Sequence, residues 1–304
     1  MRILGAIMAV SITAMIVTLA LAVVKTAGSG SSRSPHTPHV AVLDLDGVIY
    51  SSHSFIKEIE QIEENKQAKA VVVRINSPGG VVGPSQEIYE AIKNLDKKIP
   101  VVISMGSLAA SGGYYAALGG RKIFANPGTL TASIGVIMEF VNTEKLFDWA
   151  KIERFAIKAG KLKDVGSPTR KMLPEERAFL ENLLSDVHIQ FRKEVKDRRR
   201  LTDSELDQVA DGRIMTGFQA KQSKLVDALG GYQDAIKEAK QLAGLPEKAP
   251  VIVKEPQKGV LKELLFGETA EDSKWDRLVN GIIDSATYLT SKSQTRLFFL
   301  SSTL

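Results

Sequence analysis

Apolar positions fall into distinct regimes along the chain. Residues 3–24, ILGAIMAVSITAMIVTLALAVV, contain no charged side chain. At about 1.5 Å per residue such a run crosses the roughly 30 Å hydrocarbon core of a bilayer as one helix. From Val40 onward, β-rich runs alternate with segments whose apolar residues recur every three or four positions: VAVLDL, SFIKEIEQIEEN, AVVVRI, PSQEIYEAIKNL, VVISM, then a small-residue helix opening near Ser111. Strand, helix, strand, helix predicts parallel βαβ units and an α/β fold. Further strands are expected at 122–125, 134–140 and 154–159, then one long amphipathic helix over Glu175–Arg198 and shorter helices to about Leu242. The two prolines of LPEKAP, 245–250, interrupt regular structure. Beyond them an amphipathic helix is expected around Trp275–Leu289, followed by the apolar terminus LFFLSSTL. The organisation expected is therefore an anchor at 1–25, a linker at 26–39, an α/β domain at 40–245 and a helical C-terminal extension at 246–304, with no internal repeat.

Flanking charge bears on the membrane reading. Arg2 precedes the apolar run while Lys25 and Arg33 follow it, a weak bias for orientation. An early uncleaved anchor of this kind usually leaves its bulk outside the cytoplasm, so a single-pass protein of the cell membrane with an extracytoplasmic body is expected. The alternative is a cleaved secretion signal, since Ala20, Leu21 and Ala22 form a small-x-small site, but the run exceeds the usual 7 to 15 apolar residues. The following TAGSGSSRSPHTP buries nothing and reads as a flexible tether, with His36 and His39 in or beside it and expected to be solvated.

Composition narrows the chemistry. With 304 residues, 44% apolar and 25% charged, the chain is an ordinary globular one, and roughly 150 residues per domain gives about two. A net charge of +5 is too small to argue for nucleic acid. RKEVKDRRR, 192–200, reads as a solvated, dipole-complementing helix end. Zero cysteines exclude disulfides, a thiol nucleophile and thiolate metal sites. No G-x-G-x-x-G follows the first strand and no G-x-x-x-x-G-K-[ST] occurs, so no cofactor is expected.

Three segments carry candidate chemistry. NSPGG, Asn76–Gly80, follows the strand AVVVRI, and its proline and paired glycines force a turn with unobstructed backbone N–H groups. It reads either as a plain strand-to-helix turn or as an oxyanion cradle. GSLAASGGYY, 106–115, sets a serine among small residues at a helix start, where spare N–H donors favour developing negative charge; tight helix packing is the alternative. A serine needs a base. The only histidines are His36, His39, His53 and His188, and none has a recognisable triad context, which leaves lysine. Lys163, in the interrupted loop GKLKDVGSPTR (160–170), differs in setting from the lysines along helix faces. As a base near neutral pH it would need its pKa lowered from about 10.4 to roughly 7, which burial can do.

NSPGG, SLAASGGYY, TLTASIGV (129–136) and GKLKDVGSPTR together resemble the signal peptide peptidase A family in its short, single-domain form, in order and spacing across about 200 residues. The resemblance implies a Clp protease/crotonase-like βαβ superhelix and a serine peptidase acting on remnant signal peptides and other membrane-associated peptides. Carried over by position, Ser111 looks like the nucleophile, Lys163 the general base and Ser133 a hydroxyl orienting the lysine. Backbone N–H groups of Gly80 or Gly79, and of Gly112, would bind the oxyanion. Longer members carry two copies of this domain, so several copies of this chain are expected to close a homo-oligomeric ring with Ser111 and Lys163 facing each other across a subunit boundary. The terminal LFFLSSTL matches no motif; membrane contact, another subunit, a neighbouring cleft and a frayed tail all stay open.

Two rivals remain. VLDLDGVI, 42–49, resembles the opening motif of haloacid dehalogenase-type phosphatases, with Asp44 as nucleophile and Asp46 as acid-base residue, but no later acidic pair follows to hold magnesium. The other rival is a catalytically silent, membrane-tethered scaffold of the same fold.

Overall fold

The computed structural model describes residues 37–253 and 298–300. The expected membrane helix at 3–24, most of the linker and the helix expected around Trp275–Leu289 lie outside the described residues. Among the described residues no helix is long and apolar enough to cross a membrane.

The chain opens with β1 (His39–Asp46) and crosses through α1 (His53–Glu64) to β2 (Ala68–Ser77). After the short β3 (Gly79–Val81) it crosses again through α2 (Val82–Asp96) to β4 (Val101–Ala110). β1, β2 and β4 lie side by side and parallel. The middle of β2, AVVVRI, and the start of β4, VVI, are nearly unbroken apolar runs because both faces are covered. Leu43, Val71, Val73 and Ile103 enter one apolar cluster, and the alternating Val42, Ala70, Val72 and Val102 enter a second. Each fully buried valine or isoleucine contributes about 1.5–3 kcal/mol.

β4 leads into α3 (Gly112–Ala117), then β5 (Lys122–Ala125) and β6 (Leu130–Ala132). The first half of β4 pairs with β5 and the second half with β6, all parallel. Between the halves the register against β2 jumps from Ile75↔Met105 to Ser77↔Ala109. Such a bulge bends a strand, and this one re-aims the end of β4 that delivers Ser111. Thr129 and Thr131 fasten β6 beside it, their hydroxyls donating to Gly106 O and Ala109 O at 2.7 Å each.

Then come α4 (Glu144–Trp149), α5 (Pro174–Arg199), α6 (Asp203–Asp207), β7 (Ile214–Thr216), α7 (Gly217–Gln222), β8 (Ala228–Leu229) and α8 (Tyr232–Leu242). After LPEKAP the chain returns as β9 (Val251–Val253), parallel to β1 at the sheet edge. β7 runs antiparallel to β6, and β8 parallel to β5. Ala235, Ile236 and Ala239 of α8 cover the second apolar cluster. A last strand, β10 (Phe298–Leu300), pairs antiparallel with β3 rather than with the large sheet.

α5 is long because its ends suit a helix. Pro174 opens it, Glu175 and Glu176 occupy its first turn and Lys196, Arg198 and Arg199 its last, each matching the backbone dipole. The basic run at this end is not the solvated face its sequence implies. Arg198 donates to the carbonyls of Leu118, Gly119 and Gly120 at the end of α3, and Arg199 pairs with Asp227 at 2.8 Å. Lys193 and Lys196 are paired with Asp197 and Asp203.

Three local expectations need correction. IGVIMEF (134–140) and RFAIKA (154–159) form no strand; Ile137 makes a single bridge and 154–159 none. The second segment leaves its side chains open, Phe155 87% exposed and Ile157 95%, while Ile134 of the first is buried in the core. His39 is buried rather than solvated, since β1 begins with it and its ring bonds the Thr37 carbonyl.

Candidate active site

Ser111 is the hinge between β4 and α3. Its N–H donates to Ala132 O at 2.8 Å, extending the β4–β6 ladder, while its own carbonyl accepts from Tyr115 N–H at 2.8 Å, the first bond of the helix. Serving both elements in one residue forces φ 52°, ψ −116°, a conformation an L-residue avoids at a cost of about 1–3 kcal/mol. The side chain is fully buried, yet it does not cap α3. Among the described residues Ser111 Oγ is the only buried side-chain polar atom with no hydrogen-bond partner. An orphaned hydroxyl costs about 1–3 kcal/mol more. Backbone strain and an unmet polar atom on one residue are features stability alone would remove, and they cluster at reactive sites.

The glycines converge on this serine. A Cβ added to Gly112 would stand 3.1 Å from Gly80 N and 3.2 Å from Gly79 Cα, so glycine is needed for β3 and the start of α3 to approach so closely. The two turn glycines are not equivalent. Gly79 N–H is engaged by the buried Ser77 Oγ at 3.1 Å. Gly79 O accepts from Ile49 N–H at 2.8 Å and Ile49 O from Val81 N–H at 2.7 Å, so one edge of β3 is closed by Ile49. Polar groups alternate sides along a strand, so the Gly80 N–H and C=O face the other edge. That edge carries β10, with Phe299 opposite Gly80.

Ser133 lies next to this junction, since its neighbour Ala132 receives the Ser111 N–H. It is buried at φ 52°, follows Ala132 at φ 65°, and donates its N–H to Arg213 O at 2.9 Å. Lys163 is not brought to Ser111 within the chain. It sits exposed on a loop of successive turns, and among the described residues its amine has neither hydrogen bond nor ion pair. His188 Nε2 lies 3.0 Å from the Ile134 carbonyl, and His53 is exposed at the start of α1.

The Asp44 and Asp46 pair lies elsewhere, in a cavity of about 550 Å³ whose lining also includes Glu58, Arg74 and Asn76 but neither Ser111 nor Lys163. Burial pushes the Asp44 carboxyl up, against the opposing pull of Arg74. Asp46 accepts from Asn76 Nδ2 at 3.0 Å, and Gly47 at φ 72° turns the chain back to Asn76 O. Among the described residues no group of three or more His, Asp or Glu is placed to hold a metal.

Residues 93–246 match the model of peptidase family S49, which is half of the 304-residue chain. The chain belongs to this family. Residues 48–131 also match the Clp protease model, in keeping with the parallel-rich sheet. Among S49 relatives, a Synechocystis protein, slr0021, whose name marks it as a candidate protease, is 41% identical over 242 residues, covering 79% of this chain and 87% of that protein. The chloroplastic serine protease SPPA of Arabidopsis thaliana is 33% identical over 258 residues, 84% of this chain but 38% of the plant protein. An Enterococcus faecium protein named as a candidate signal peptide peptidase SppA is 33% identical over 223 residues, 73% of this chain and 65% of its own. The chain is thus an SppA-like member of peptidase family S49.

Sequence reasoning missed several supports of the S49 site. The Ser77 hydroxyl that occupies Gly79 N–H and the threonines that fasten β6 are short polar side chains whose partners lie far away in sequence. The ion pairs around the Lys163 loop, with Asp164, Arg170 and Glu176, were equally hidden. Charge at those positions was visible, but not its pairing.

Proposed function

We propose that the chain is a membrane-anchored serine endopeptidase in which Ser111 and the Lys163 of a neighbouring copy form the catalytic dyad, cutting remnant signal peptides and other membrane-associated peptides. The observation that carries this reading is the orphaned, buried Ser111 Oγ on strained backbone beside Gly80 and Gly112. Among the described residues of one chain the hydroxyl has no base and Lys163 no partner, and each needs what the other has. A lysine sequestered from water at a subunit boundary favours its uncharged, basic form.

The reaction follows from these groups. The neutral Lys163 amine takes the Ser111 hydroxyl proton as Oγ attacks the substrate carbonyl carbon. Negative charge develops on the carbonyl oxygen, which the N–H groups of Gly80 and Gly112 receive; Gly79 is the weaker candidate because Ser77 holds its N–H. Breaking the C–N bond returns the proton to the leaving amine, and water then hydrolyses the acyl-serine by the same steps. Ser133 would orient the lysine amine. A peptide strand fits because the edge of β3 away from Ile49 accepts a strand, here β10, in antiparallel pairing, a main-chain mode of recognition that places few demands on side chains.

Ring assembly is supported by the apolar arm after β6. Trp149 is 80% exposed, and with Phe155 and Ile157 it forms a surface that an isolated soluble chain rarely leaves bare. Among the described residues no strand pairs with 154–159, and a second copy would cover it. The anchor at 3–24 and the extracytoplasmic placement of the body rest on hydropathy and flanking charge alone.

A serine-reactive fluorophosphonate tests the dyad on the full chain. The wild type should be labelled, and Ser111→Ala and Lys163→Ala should not. Labelling of either variant at the wild-type rate sinks the proposal, and a scaffold would give no labelling of any of the three. Loss of membrane association on deleting residues 1–25 is the outcome expected for the anchor.

A further inference from the structure

We propose that Asp164, Arg170 and Glu176 form a positioning relay that holds the Lys163 loop, an inference that rests on the assignment of Lys163 as base. The loop has little shape of its own. Its backbone bonds are single turns, Lys163 N–H to Gly160 O, Val165 N–H to Leu162 O and Ser167 N–H to Asp164 O, at 3.0–3.2 Å. Gly160 and Gly166, with φ 99° and 77°, add conformations that other residues would not permit. Such a segment samples many geometries unless side chains restrain it, and a base must sit within hydrogen-bond reach of its proton.

Restraint comes from one guanidinium. Arg170 donates from Nε to Asp164 Oδ2 at 3.1 Å and from Nη2 to the Asp164 carbonyl at 3.2 Å, fixing both the side chain and the backbone of the residue next to Lys163. Glu176 takes a fork of two more, Nη1 to Oε2 at 2.8 Å and Nη2 to Oε1 at 2.5 Å, and Nη1 also donates to the Lys171 carbonyl at 3.0 Å. Glu176 is itself immobile: its side chain is 2% exposed, it accepts the Leu173 N–H at 2.9 Å, and it belongs to the first turn of α5, whose Leu180, Phe191 and Val195 are buried. Position therefore passes from the core through α5, Glu176, Arg170 and Asp164 to Lys163. Arginine suits the middle place because its planar fork can serve two carboxylates at once, which a lysine ammonium cannot do with fixed geometry.

Selective pairing points the same way. Lys158 is bonded to the other Asp164 oxygen and Lys161 to Glu175 at 3.3 Å. Among the described residues every charged side chain from 158 to 164 is thus committed except Lys163. With Asp164 saturated by Lys158 and Arg170, its carboxylate is occupied rather than available to capture the adjacent amine.

The test uses kcat and KM of the full chain on an internally quenched apolar peptide. Asp164→Ala cuts the loop end of the relay while leaving the buried Glu176 paired, so the fold should survive; Arg170→Lys keeps a charge for Glu176 but removes the fork. Each should lower kcat about ten- to hundredfold with KM within twofold, the scale expected when a reacting group is misplaced by about an ångström. Asp164→Asn, which keeps an acceptor oxygen, should recover part of the loss. In a Lys163→Ala background, Asp164→Ala should slow the residual reaction no further. The relay is refuted if Asp164→Ala keeps the wild-type kcat while Lys163→Ala is inactive, or if it slows the Lys163→Ala protein by the same factor as the wild type. Wild-type activity of Lys163→Ala would instead overturn the dyad itself, and the relay with it.

Discussion

Gly80→Ala probes the point where fold and chemistry meet. The added Cβ would stand 2.1 Å from Ile49 O, 2.6 Å from Ile49 N and 2.7 Å from Ile49 C. Gly80 is not in the left-handed region, so the cost is one of space alone. Relief requires β3 and Ile49 to separate by about an ångström, which takes the bonds Ile49 N–H to Gly79 O and Val81 N–H to Ile49 O, at 2.8 and 2.7 Å, beyond useful length. Ile49 is buried, so water does not readily replace what is lost. Two buried backbone bonds left unmade cost about 2–5 kcal/mol together, a large share of the ~5–15 kcal/mol that holds a domain folded. The same shift displaces Gly80 N–H from the proposed oxyanion position, which should cost about 10²–10³ in kcat. Gly83→Ala is the control. It is exposed in the first turn of α2, its Cβ would meet nothing within 4 Å, and alanine there should stabilise by about 0.5–1 kcal/mol. Equilibrium denaturation and fluorophosphonate acylation of both variants decide the matter. The reasoning fails if Gly80→Ala unfolds within about 1 kcal/mol of the wild type, less than one of those buried bonds is worth.

Other consequences follow from the same geometry. Ser111→Ala should abolish acylation; made in a Lys163→Ala background, where no amine can meet the hydroxyl, it should raise the unfolding free energy by about 1 kcal/mol, and a fall would mean that Oγ is not orphaned. The Arg170 fork, aided by Leu173 N–H, lowers the Glu176 carboxyl from its ordinary 4.5 to about 2. A depressed folded-state value means that the pair contributes stability above pH 4.5 and loses it as pH falls towards 2, so Glu176→Gln should flatten the pH dependence of unfolding in that window; an unchanged slope would contradict the pairing. Phe155→Glu should reduce the sedimentation coefficient by dissociating subunits and should lower acylation in parallel, whereas an unaltered assembly would show that the exposed arm is covered by something else.

What the sequence reveals depends on whether the physics that uses a residue is local. β1, β2 and β4 were legible because strands buried on both faces need unbroken apolar runs, and AVVVRI has no other economical fate. The same alternation at 134–140 and 154–159 misled, since periodicity reports a face that wants cover without saying whose strand supplies it. Phe155 and Ile157 stand exposed where a strand was expected, and on the proposed reading a second copy covers them. The site divides in the same manner. Small residues around Ser111 were visible, but the φ of 52° and the orphaned hydroxyl arise only when β6 and β3 close around it. Gly79 and Gly80 are indistinguishable as letters, and what separates them is a hydroxyl two residues upstream that occupies one N–H and an isoleucine that turns the other glycine outward. Asp164, Arg170 and Glu176 stand six residues apart across an irregular loop and a helix start, where no single period runs, so no pattern could pair them; a guanidinium spanning a loop and a helix end does so in space. LFFL was left open between a membrane, another subunit, a neighbouring cleft and a frayed tail, whereas its strand lies on β3 of the same chain, because β3 offers an edge of backbone polar groups, a property of the fold that no side chain encodes.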